Sequence, residues 1–179
     1  MTTHVALVRG INVGGRALVS MAALRELFVE AGCSEVRTYI QSGNVVFTGR
    51  PPARSVANKV AARLHDDHRL DVTVILRSGR QLDAVVAKNP WGGRARDLTK
   101  LHVTFLATPP DKARVSATTD KTFSPDEFRI AGSEVYVYCP GGYGRTKINN
   151  TFFERSLGVP ATTRNWNTVT TLARMAAGG

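Results

Sequence analysis

The sequence predicts an α+β fold built from two parts. In the first 78 residues, short apolar runs and amphipathic segments follow one another in the order β-α-β-β-α-β. Residues 79–179 contain further strand-like and helix-like segments in a less regular order and close with two helices. Because 42% of the 179 residues are hydrophobic, the chain has enough apolar side chains to bury a substantial core. The predicted division is residues 1–78 and residues 79–179.

The first predicted elements are a strand and a helix. Val5–Val8 is a short continuous apolar run, which is typical of a buried strand. Ser20 is a residue type that caps helix N-termini, and Gly32 suits the position just after a helix, where a positive φ is common. Between Ser20 and Gly32, apolar residues recur at the spacing of one helix face: Leu24, Leu27, Phe28 and Ala31.

A hairpin, a helix and a strand complete the first part. Val36–Gln41 and Asn44–Thr48 are strand-like runs separated only by Ser42-Gly43, which predicts a two-residue hairpin turn. Residues 54–67 are predicted to be a helix, and Val72–Leu76, which is apolar and β-branched, is predicted to be a strand. The helical spacing of residues 54–67 is set by Val56, Val60 and Leu64.

The order β-α-β-β-α-β is that of the ferredoxin-like fold, also called the split βαβ unit. In this topology a right-handed crossover makes the first and second strands parallel. The loop after the first strand and the hairpin after the second should therefore emerge at the same edge of the sheet. This edge is predicted to bring together Arg9, Asn12, Gln41, Ser42 and Asn44.

The second part repeats some of these features. A capping box formed by Ser78 and Gln81 predicts a helix that ends at Asn89-Pro90. Pro140–Lys147 is a second glycine-rich basic loop after a strand, a weak echo of the first part without a close internal repeat. The other predicted elements are a strand at Leu101–Ala107, a helix near Lys112–Ala117, a hairpin of Phe128–Ala131 and Glu134–Cys139 around Gly132-Ser133, and helices at Asn150–Leu157 and Asn165–Ala176.

The charge of the chain favours anionic partners. The 24 basic and 14 acidic residues give a formal charge of +10, with 12 basic and 7 acidic residues in each of the segments 1–90 and 91–179. Nucleic acid is the first partner that such a field suggests, although the same charge is also typical of a basic protein with a solvated surface. No membrane-spanning run and no signal peptide are recognised, so a cytoplasmic location is expected. Cys33 and Cys139 lack CxxC spacing and are predicted to be buried or inert thiols.

Three motifs resemble the DUF1697 family. They are Arg9-Gly10-Ile11-Asn12-Val13-Gly14-Gly15, the segment Thr38–Phe47 (TYIQSGNVVF) and the segment Thr163–Val169 (TRNWNTV). Together they extend over nearly the whole chain, and Trp91 stands where the family pattern has Phe. The resemblance implies an α+β fold with a ferredoxin-like N-terminal part. It implies no activity, since the family has no assigned function.

The polar residues of these motifs and of the second glycine-rich loop predict an anion site. None of them is acidic and none is a histidine, and Arg, Lys and amide side chains offer many N–H donors. The inventory fits a phosphate, a phosphodiester or a carboxylate better than a metal ion, and no metal site is predicted. The glycine spacings match neither GxGxxG nor GxxxxGK[ST]. The predicted ligand-binding residues are Arg9, Asn12, Gln41, Ser42, Asn44, Tyr143, Arg145, Lys147, Arg164 and Asn165.

Structural roles compete with this interpretation at several positions. Asn12 and the glycines beside it have the residue types of a turn, Asn165 or Thr163 has the residue type of a helix N-cap, and Trp166 is of a type more often found in the core. Arg16 follows the first motif directly and adds a further basic group to the same glycine-rich loop. The four histidines are scattered outside the motifs and are predicted to have no role at the site.

Three functional hypotheses follow. The first is a binding module for nucleic acid or a phosphorylated nucleotide, in which Arg and Lys contact phosphates and Asn and Gln contact bases or sugars. The second is a phosphate-ester hydrolase such as a nuclease, with Lys147, Tyr143 or Ser42 as candidate catalytic residues and Mg²⁺ as a cofactor only in the case of a nuclease. The third is a protein-interaction module in which the charge serves solubility. The sequence specifies neither a further cofactor nor an oligomeric state.

Overall fold

The protein forms two compact units, each with a four-stranded antiparallel sheet. The structure is a computed structural model and describes residues 2–12, 14–15, 18–92 and 96–178. One unit comprises Met1–Asp83 with Leu172–Gly179, and the other comprises Ala84–Thr171. The α+β class that the sequence predicts is confirmed. The predicted division after residue 78 stays a prediction.

The first unit has the predicted ferredoxin-like order of elements. In its sheet the strand order is β2-β3-β1-β4, and every neighbouring pair is antiparallel. The first and second strands therefore run in the same direction with an antiparallel strand between them, as predicted. The elements are β1 (His4–Arg9), α1 (Met21–Glu30), β2 (Cys33–Tyr39), β3 (Asn44–Gly49), α2 (Ala53–His68) and β4 (Thr73–Ser78).

Both helices pack on one face of this sheet because each presents one apolar stripe. Ser20 caps α1 by accepting a hydrogen bond from the Ala23 N–H at 3.0 Å, as predicted. Gly32, with φ of +92°, follows the end of α1 and accommodates the left-handed conformation. The core of this unit includes Ala6, Val8, Leu24, Phe28, Val45, Phe47, Val56, Val60 and Leu64.

The hairpin between β2 and β3 differs from the predicted one in length. Tyr39 pairs with Asn44, so the connecting loop has four residues, Ile40–Gly43, and not the predicted pair Ser42-Gly43. The strand ends early because Ile40 adopts a φ of +50°, which is outside the β region. Gly43, with φ of +76°, closes the turn. The prediction of a hairpin was right, and the predicted extension of the strand to Gln41 was wrong.

The second unit repeats the topology of the first, which the sequence did not predict. Its order is again β-α-β-β-α-β, and its sheet has the strand order β6-β7-β5-β8 with antiparallel neighbours. The strand order matches that of the first sheet position by position. Following α3 (Gly79–Ala87), the elements are β5 (Leu101–Leu106), α4 (Lys112–Thr119), β6 (Glu127–Ala131), β7 (Glu134–Tyr138), α5 (Asn150–Leu157), β8 (Ala161–Asn165) and α6 (Trp166–Ala176), with 3-10 turns at Leu98–Lys100 and Tyr143–Arg145.

β8 is the element that sequence reasoning missed. Its sequence, Ala-Thr-Thr-Arg-Asn, lacks the apolar alternation that marks a strand, although it pairs with β5 along its whole length. It forms one edge of the sheet, and its β-branched threonines suit a strand. On the side of the sheet that faces α5, the core includes Leu106, Phe128, Val135, Val137, Phe153, Leu157 and Ala161.

Two helix starts confirm predictions made from residue type. The Ser78 N–H donates to Gln81 Oε1 at 2.8 Å and the Gln81 N–H donates to Ser78 Oγ at 3.2 Å, so the capping box before α3 is formed in both directions. Asn165 accepts from the Thr168 N–H at 2.8 Å and caps α6. None of the described helices is long and apolar enough to cross a membrane.

Candidate functional site

Asn12 holds the loop after β1 closed. Its φ of +54° is left-handed, a conformation that Asn tolerates better than most residues. Its Nδ2 donates to the carbonyl oxygens of Val19 at 2.9 Å and Gln41 at 2.8 Å, and its Oδ1 accepts from the Val19 N–H at 2.9 Å. The side chain therefore bridges the loop to the hairpin. This contact confirms that the two loops meet at one edge, and it commits the amide of Asn12 to the backbone.

Asn44 is likewise committed to the protein interior. The residue is fully buried, and its Nδ2 donates to the carbonyl oxygen of Tyr39 at 3.0 Å and to Ser42 Oγ at 2.9 Å. These bonds fix the four-residue hairpin from within. In this geometry, Asn44 and the hydroxyl of Ser42 therefore stabilise the loop.

The predicted ligand residues of this unit differ in their exposure to solvent, with Asn12 and Ser42 partly exposed and Asn44 buried. Gln41 is exposed, and Arg9, at the end of β1, is partly exposed. Gly14 and Gly15 are exposed, have positive φ and have open space where a Cβ would lie. Val13 of the same motif and Arg16, which follows the motif directly, lie outside the described residues. The edge thus presents one guanidinium, one amide and two accessible glycines.

In the second unit, Tyr143 lies against His102. Their rings stack with centroids 4.5 Å apart and planes inclined by 26°. The Tyr143 hydroxyl donates to Thr163 Oγ1 at 3.0 Å, and the Thr163 hydroxyl donates to Asn150 Oδ1 at 3.2 Å. Thr104 Oγ1 lies 2.8 Å from the same Thr163 oxygen. A hydrogen-bonded chain therefore ties the loop after β7 to β5, β8 and the start of α5.

Burial sets the protonation states of this pair of rings. It raises the pKa of the Tyr143 phenol, an effect that outweighs the opposing hydrogen bond with Thr163. It lowers the pKa of His102 below its ordinary value of 6.5, against the smaller opposing effect of the Lys100 carbonyl. At neutral pH the two rings are therefore an uncharged phenol and an uncharged imidazole.

The neutral state of His102 predicts a loss of stability in mild acid. The unfolded chain, with an imidazole pKa near 6.5, binds a proton that the folded protein binds only at lower pH. Stability should therefore fall as the pH decreases through 6.5. His102→Gln should flatten this dependence in urea unfolding at several pH values from about 7.5 to 5.5. An unchanged slope in His102→Gln would contradict the expectation.

Sequence reasoning missed His102, Asn150 and Thr163 as parts of this cluster. His102 and Thr104 alternate along β5, so they share a face, and Thr163 lies opposite Thr104 in the register of β5 and β8. The sequence predicts this grouping of His102, Thr104 and Thr163 only if β8 is recognised as a strand that pairs with β5. Without that pairing, His102 is one scattered histidine among four.

The loop around Thr146 projects two basic residues. Thr146 is buried, its hydroxyl donates to Asp126 Oδ2 at 2.6 Å, and its Oγ1 accepts from the Ile148 N–H at 3.1 Å. Its neighbours Arg145 and Lys147 are both exposed. Neither forms a salt bridge with an acidic side chain in the part of the chain that the structure describes. The anchored threonine therefore holds two solvated cations in one short segment.

Arg164 and Asn165 have other roles in the structure. Arg164 is buried, and its Nη1 donates to Thr162 Oγ1 at 2.7 Å and to the carbonyl oxygen of Thr163 at 2.9 Å. Burial lowers the pKa of its guanidinium to about 10. Because neighbouring strand residues point to opposite faces, Arg164 lies on the other side of the sheet from Thr163 and Tyr143. The side-chain oxygen of Asn165 caps α6.

The two cysteines and Trp166 are buried. Cys33 and Cys139 are buried, as predicted, and burial raises the pKa of both thiols. Trp166 is also buried, in agreement with the core role considered for it. Within the described residues, no group of three or more His, Cys, Asp or Glu side chains is placed to hold a metal ion.

The comparisons with known proteins agree with this architecture. One similar solved structure is described as "The structure of conserved bacterial protein SP0830 from Streptococcus pneumoniae". It is 25% identical in sequence, superposes with a TM-score of 0.78, and the match covers 99% of this chain and 99% of that one. No curated protein matches the sequence significantly.

The family comparison agrees with the first two of the three motifs, and the third, Thr163–Val169, lies outside the matched residues. The profile described as "Protein of unknown function (DUF1697)" matches residues 1–136, which include the glycine-rich loop, the β2–β3 hairpin and more than half of the second unit. The chain therefore belongs to the DUF1697 family.

Proposed function

We propose that this protein binds nucleic acid or a phosphorylated nucleotide through the segment around Thr146. The observation that carries the proposal is the pair of exposed cations, Arg145 and Lys147, held on either side of a buried and hydrogen-bonded threonine. Because the loop is anchored at Thr146, its backbone loses little conformational entropy when the two cations contact phosphates. Their solvated, unpaired charges suit phosphate oxygens.

The aromatic pair beside this loop supports the same ligand class. Tyr143 precedes Arg145 by two residues and stacks on His102, and aromatic side chains next to a basic segment are typical of proteins that bind single-stranded nucleic acid. Arg9 and Gln41 of the first unit stay predicted contacts. The cytoplasm, the location expected from the sequence, contains both ligand classes.

The hydrogen bonds that the asparagine side chains make within the protein favour a ligand bound through its phosphates over one recognised through its bases. Asn12 and Asn44 use their side-chain amides within the protein, and Asn165 uses its side-chain oxygen to cap α6. They were the main candidates for hydrogen bonds to bases, so we expect affinity that depends weakly on base sequence and strongly on salt.

Binding of a fluorescein-labelled dT20 oligonucleotide, followed by anisotropy from 20 to 200 mM KCl, tests the proposal. The double variant Arg145→Gln/Lys147→Gln should bind roughly tenfold more weakly at low salt. The slope of log affinity against log salt should lose about 1.4 in magnitude, since two phosphate contacts on a single strand are removed. Competition with ADP and with unlabelled duplex DNA distinguishes a nucleotide site from a nucleic-acid surface.

A matched double variant controls for the net charge. Lys112→Gln/Arg155→Gln removes the same two charges from exposed positions on α4 and α5 of the same unit. It should retain most of the affinity and slope. Equal losses in the two double variants, or no binding of dT20 and ADP at 20 mM KCl, would contradict the proposal. The second outcome would favour the protein-interaction hypothesis.

A phosphate-ester hydrolase has less support from the geometry. Ser42 Oγ accepts a hydrogen bond from buried Asn44, and Tyr143 donates its hydroxyl proton to Thr163 while burial raises its pKa. Both hydroxyls are therefore poorly prepared to act as nucleophiles. Incubation of labelled single- and double-stranded DNA and RNA with and without Mg²⁺ checks this expectation. Cleavage that is lost in Lys147→Ala while binding persists would establish the hydrolase in its place.

A further inference from the structure

β6 is an edge strand with hydrogen-bonding groups that point away from the sheet. It pairs with β7 on one side, and the strand order places no strand on the other. Ala131 and Glu134 flank the two-residue turn, which makes them a hydrogen-bonded pair. Because hydrogen-bonded and non-hydrogen-bonded pairs alternate, the backbone groups of Phe128 and Ile130 point to the open side.

Some of these outward backbone groups already have a hydrogen-bond partner and others do not. The Phe128 carbonyl oxygen accepts a hydrogen bond from Arg129 Nη1 at 2.7 Å, which agrees with its outward direction. The N–H and C=O groups of Ile130 and the N–H of Phe128 make no hydrogen bond to any residue in the described ranges. The edge therefore presents a ladder on which one further strand can pair.

A cavity of about 550 Å³ lies along this edge. It is lined by residues from both faces of β6 and by the segment that leads into it, including Lys121, Phe123, Asp126, Glu127, Phe128 and Ile130. Phe123 and Phe128 belong to an aromatic cluster with Phe152, with centroid distances of 5.0 Å from Phe152 to Phe123 and 6.5 Å from Phe152 to Phe128. The cavity thus has an apolar floor next to unpaired backbone groups.

The charges that line the cavity balance, since Lys121 and Arg129 are offset by Asp126 and Glu127, and Lys121 is the cation among them without a described carboxylate partner. Glu127 is paired with Arg96 at 2.8 Å and lies 3.7 Å from Arg129. Asp126 accepts the short hydrogen bond from Thr146. Lys121 is exposed, with its ammonium 5.5 Å from the centre of the Phe152 ring, and no described carboxylate pairs with it. A carboxylate is therefore the group that best complements the ammonium of Lys121.

We propose that an extended acidic peptide of another protein binds along β6 as an added strand. Its backbone pairs with the outward groups of Phe128 and Ile130, an apolar side chain enters the cavity above Phe123 and Phe128, and an acidic side chain contacts Lys121. The main-chain bonds supply affinity, while the cavity and the cation select the sequence. This surface adjoins the loop of Arg145 and Lys147 through the hydrogen bond from Thr146 to Asp126, but the two proposals involve different contact residues and neither depends on the other.

Selection from a phage-displayed library of random heptapeptides on the full-length protein tests the inference. Enriched peptides should share an apolar and an acidic position two residues or an even number of residues apart, since alternate side chains of a strand share a face. In synthetic fluorescein-labelled versions, N-methylation of one alternate set of amides should abolish binding while N-methylation of the other set leaves it intact. A failure to enrich any sequence, or equal effects of both methylated sets, would overturn the proposal.

Charge reversal at the rim provides the matched protein variants. Lys121→Glu should weaken the selected peptide by roughly tenfold, because it replaces attraction by repulsion at the rim. Lys112→Glu, an exposed lysine on α4, should leave the affinity within about twofold, and melting temperatures of both variants establish that they are folded. Equal weakening by the two variants would contradict the assignment of Lys121. A concentration-dependent dimer that the peptide dissociates would assign the edge to a second copy of the chain and overturn the proposed partner.

Discussion

Gly43→Ala should lower the free energy of unfolding by roughly 2 to 4 kcal/mol. Gly43 has a φ of +76°, and a Cβ at this position would lie 2.8 Å from Ile11 Cδ1 and 3.1 Å from Val8 Cβ. The carbonyl oxygen of Gly43 also accepts a hydrogen bond from the Val8 N–H at 2.8 Å, so the backbone cannot move away without losing that bond. Urea unfolding followed by circular dichroism measures the change.

Gly15→Ala separates the two causes of this loss. Gly15 also has a positive φ, +72°, but no atom of the residues that the structure describes lies within 4 Å of the position that a Cβ would take there. The control variant therefore carries the conformational cost of about 1 kcal/mol without the steric clash. If the two variants lost the same stability, contact with Ile11 and Val8 would not be the reason that position 43 requires glycine.

Asn44→Asp should be at least as damaging, with an expected loss of about 3 to 5 kcal/mol at pH 7. The substitution buries a carboxylate where Asn44 Nδ2 donates to the Tyr39 carbonyl oxygen. An ionised aspartate has no proton to donate there and faces the negative end of the carbonyl dipole. Because such a buried acid has a raised pKa, the loss should shrink as the pH falls toward 5. Urea unfolding at pH 5 and pH 7 provides the comparison.

Gln41→Glu is the matched change in the same hairpin. It also converts an amide to an acid, but Gln41 is exposed, so its stability should stay within about 0.5 kcal/mol of the parent protein. A small effect of Asn44→Asp at both pH values would mean that Asn44 is not held in the interior. Position 44 would then return to the set of candidate ligand contacts.

The fold of the first unit followed from the sequence because its signals are local. The apolar run of β1, the Ser20 cap and the periodic faces of α1 and α2 each identify an element without knowledge of its partners. The hairpin length was wrong because it depends on the φ of Ile40, a residue whose type does not favour a positive φ. A local conformation imposed by the surrounding contacts cannot be read from residue type alone.

The second copy of the topology was missed for a different reason. β8 has no apolar alternation, and its pairing with β5 joins residues about 60 positions apart in the chain, as in the contact of Thr104 with Thr163. Without β8 the second unit lacks its closing strand, and the order of the first unit cannot be recognised in it. Polar strands at sheet edges have weak sequence signals because only one of their neighbours constrains them.

The sequence predicted the candidate site only as a set of residue types, and the structure shows which of those side chains are already hydrogen-bonded within the protein. Residue types showed correctly that donors dominate the motifs, but the sequence does not show where each amide finds its acceptor. Asn12 bonds to Val19 and Gln41, residues 7 and 29 positions away. The pairing of Tyr143 with His102 likewise depends on tertiary contact. Composition predicts that many basic side chains are exposed to solvent. The fold is needed to decide which of the predicted ligand residues remain accessible to a ligand.

The burial of both cysteines makes the chain a convenient background for site-directed spectroscopy. Thiolates react with maleimides, and burial with a raised pKa keeps the thiolate fraction of Cys33 and Cys139 small and inaccessible. A single cysteine introduced at an exposed position of a loop would therefore take up a fluorophore or spin label selectively while both native cysteines stay in place. Labels at the loop after β1 and at the loop after β7 could then report ligand arrival at each unit separately.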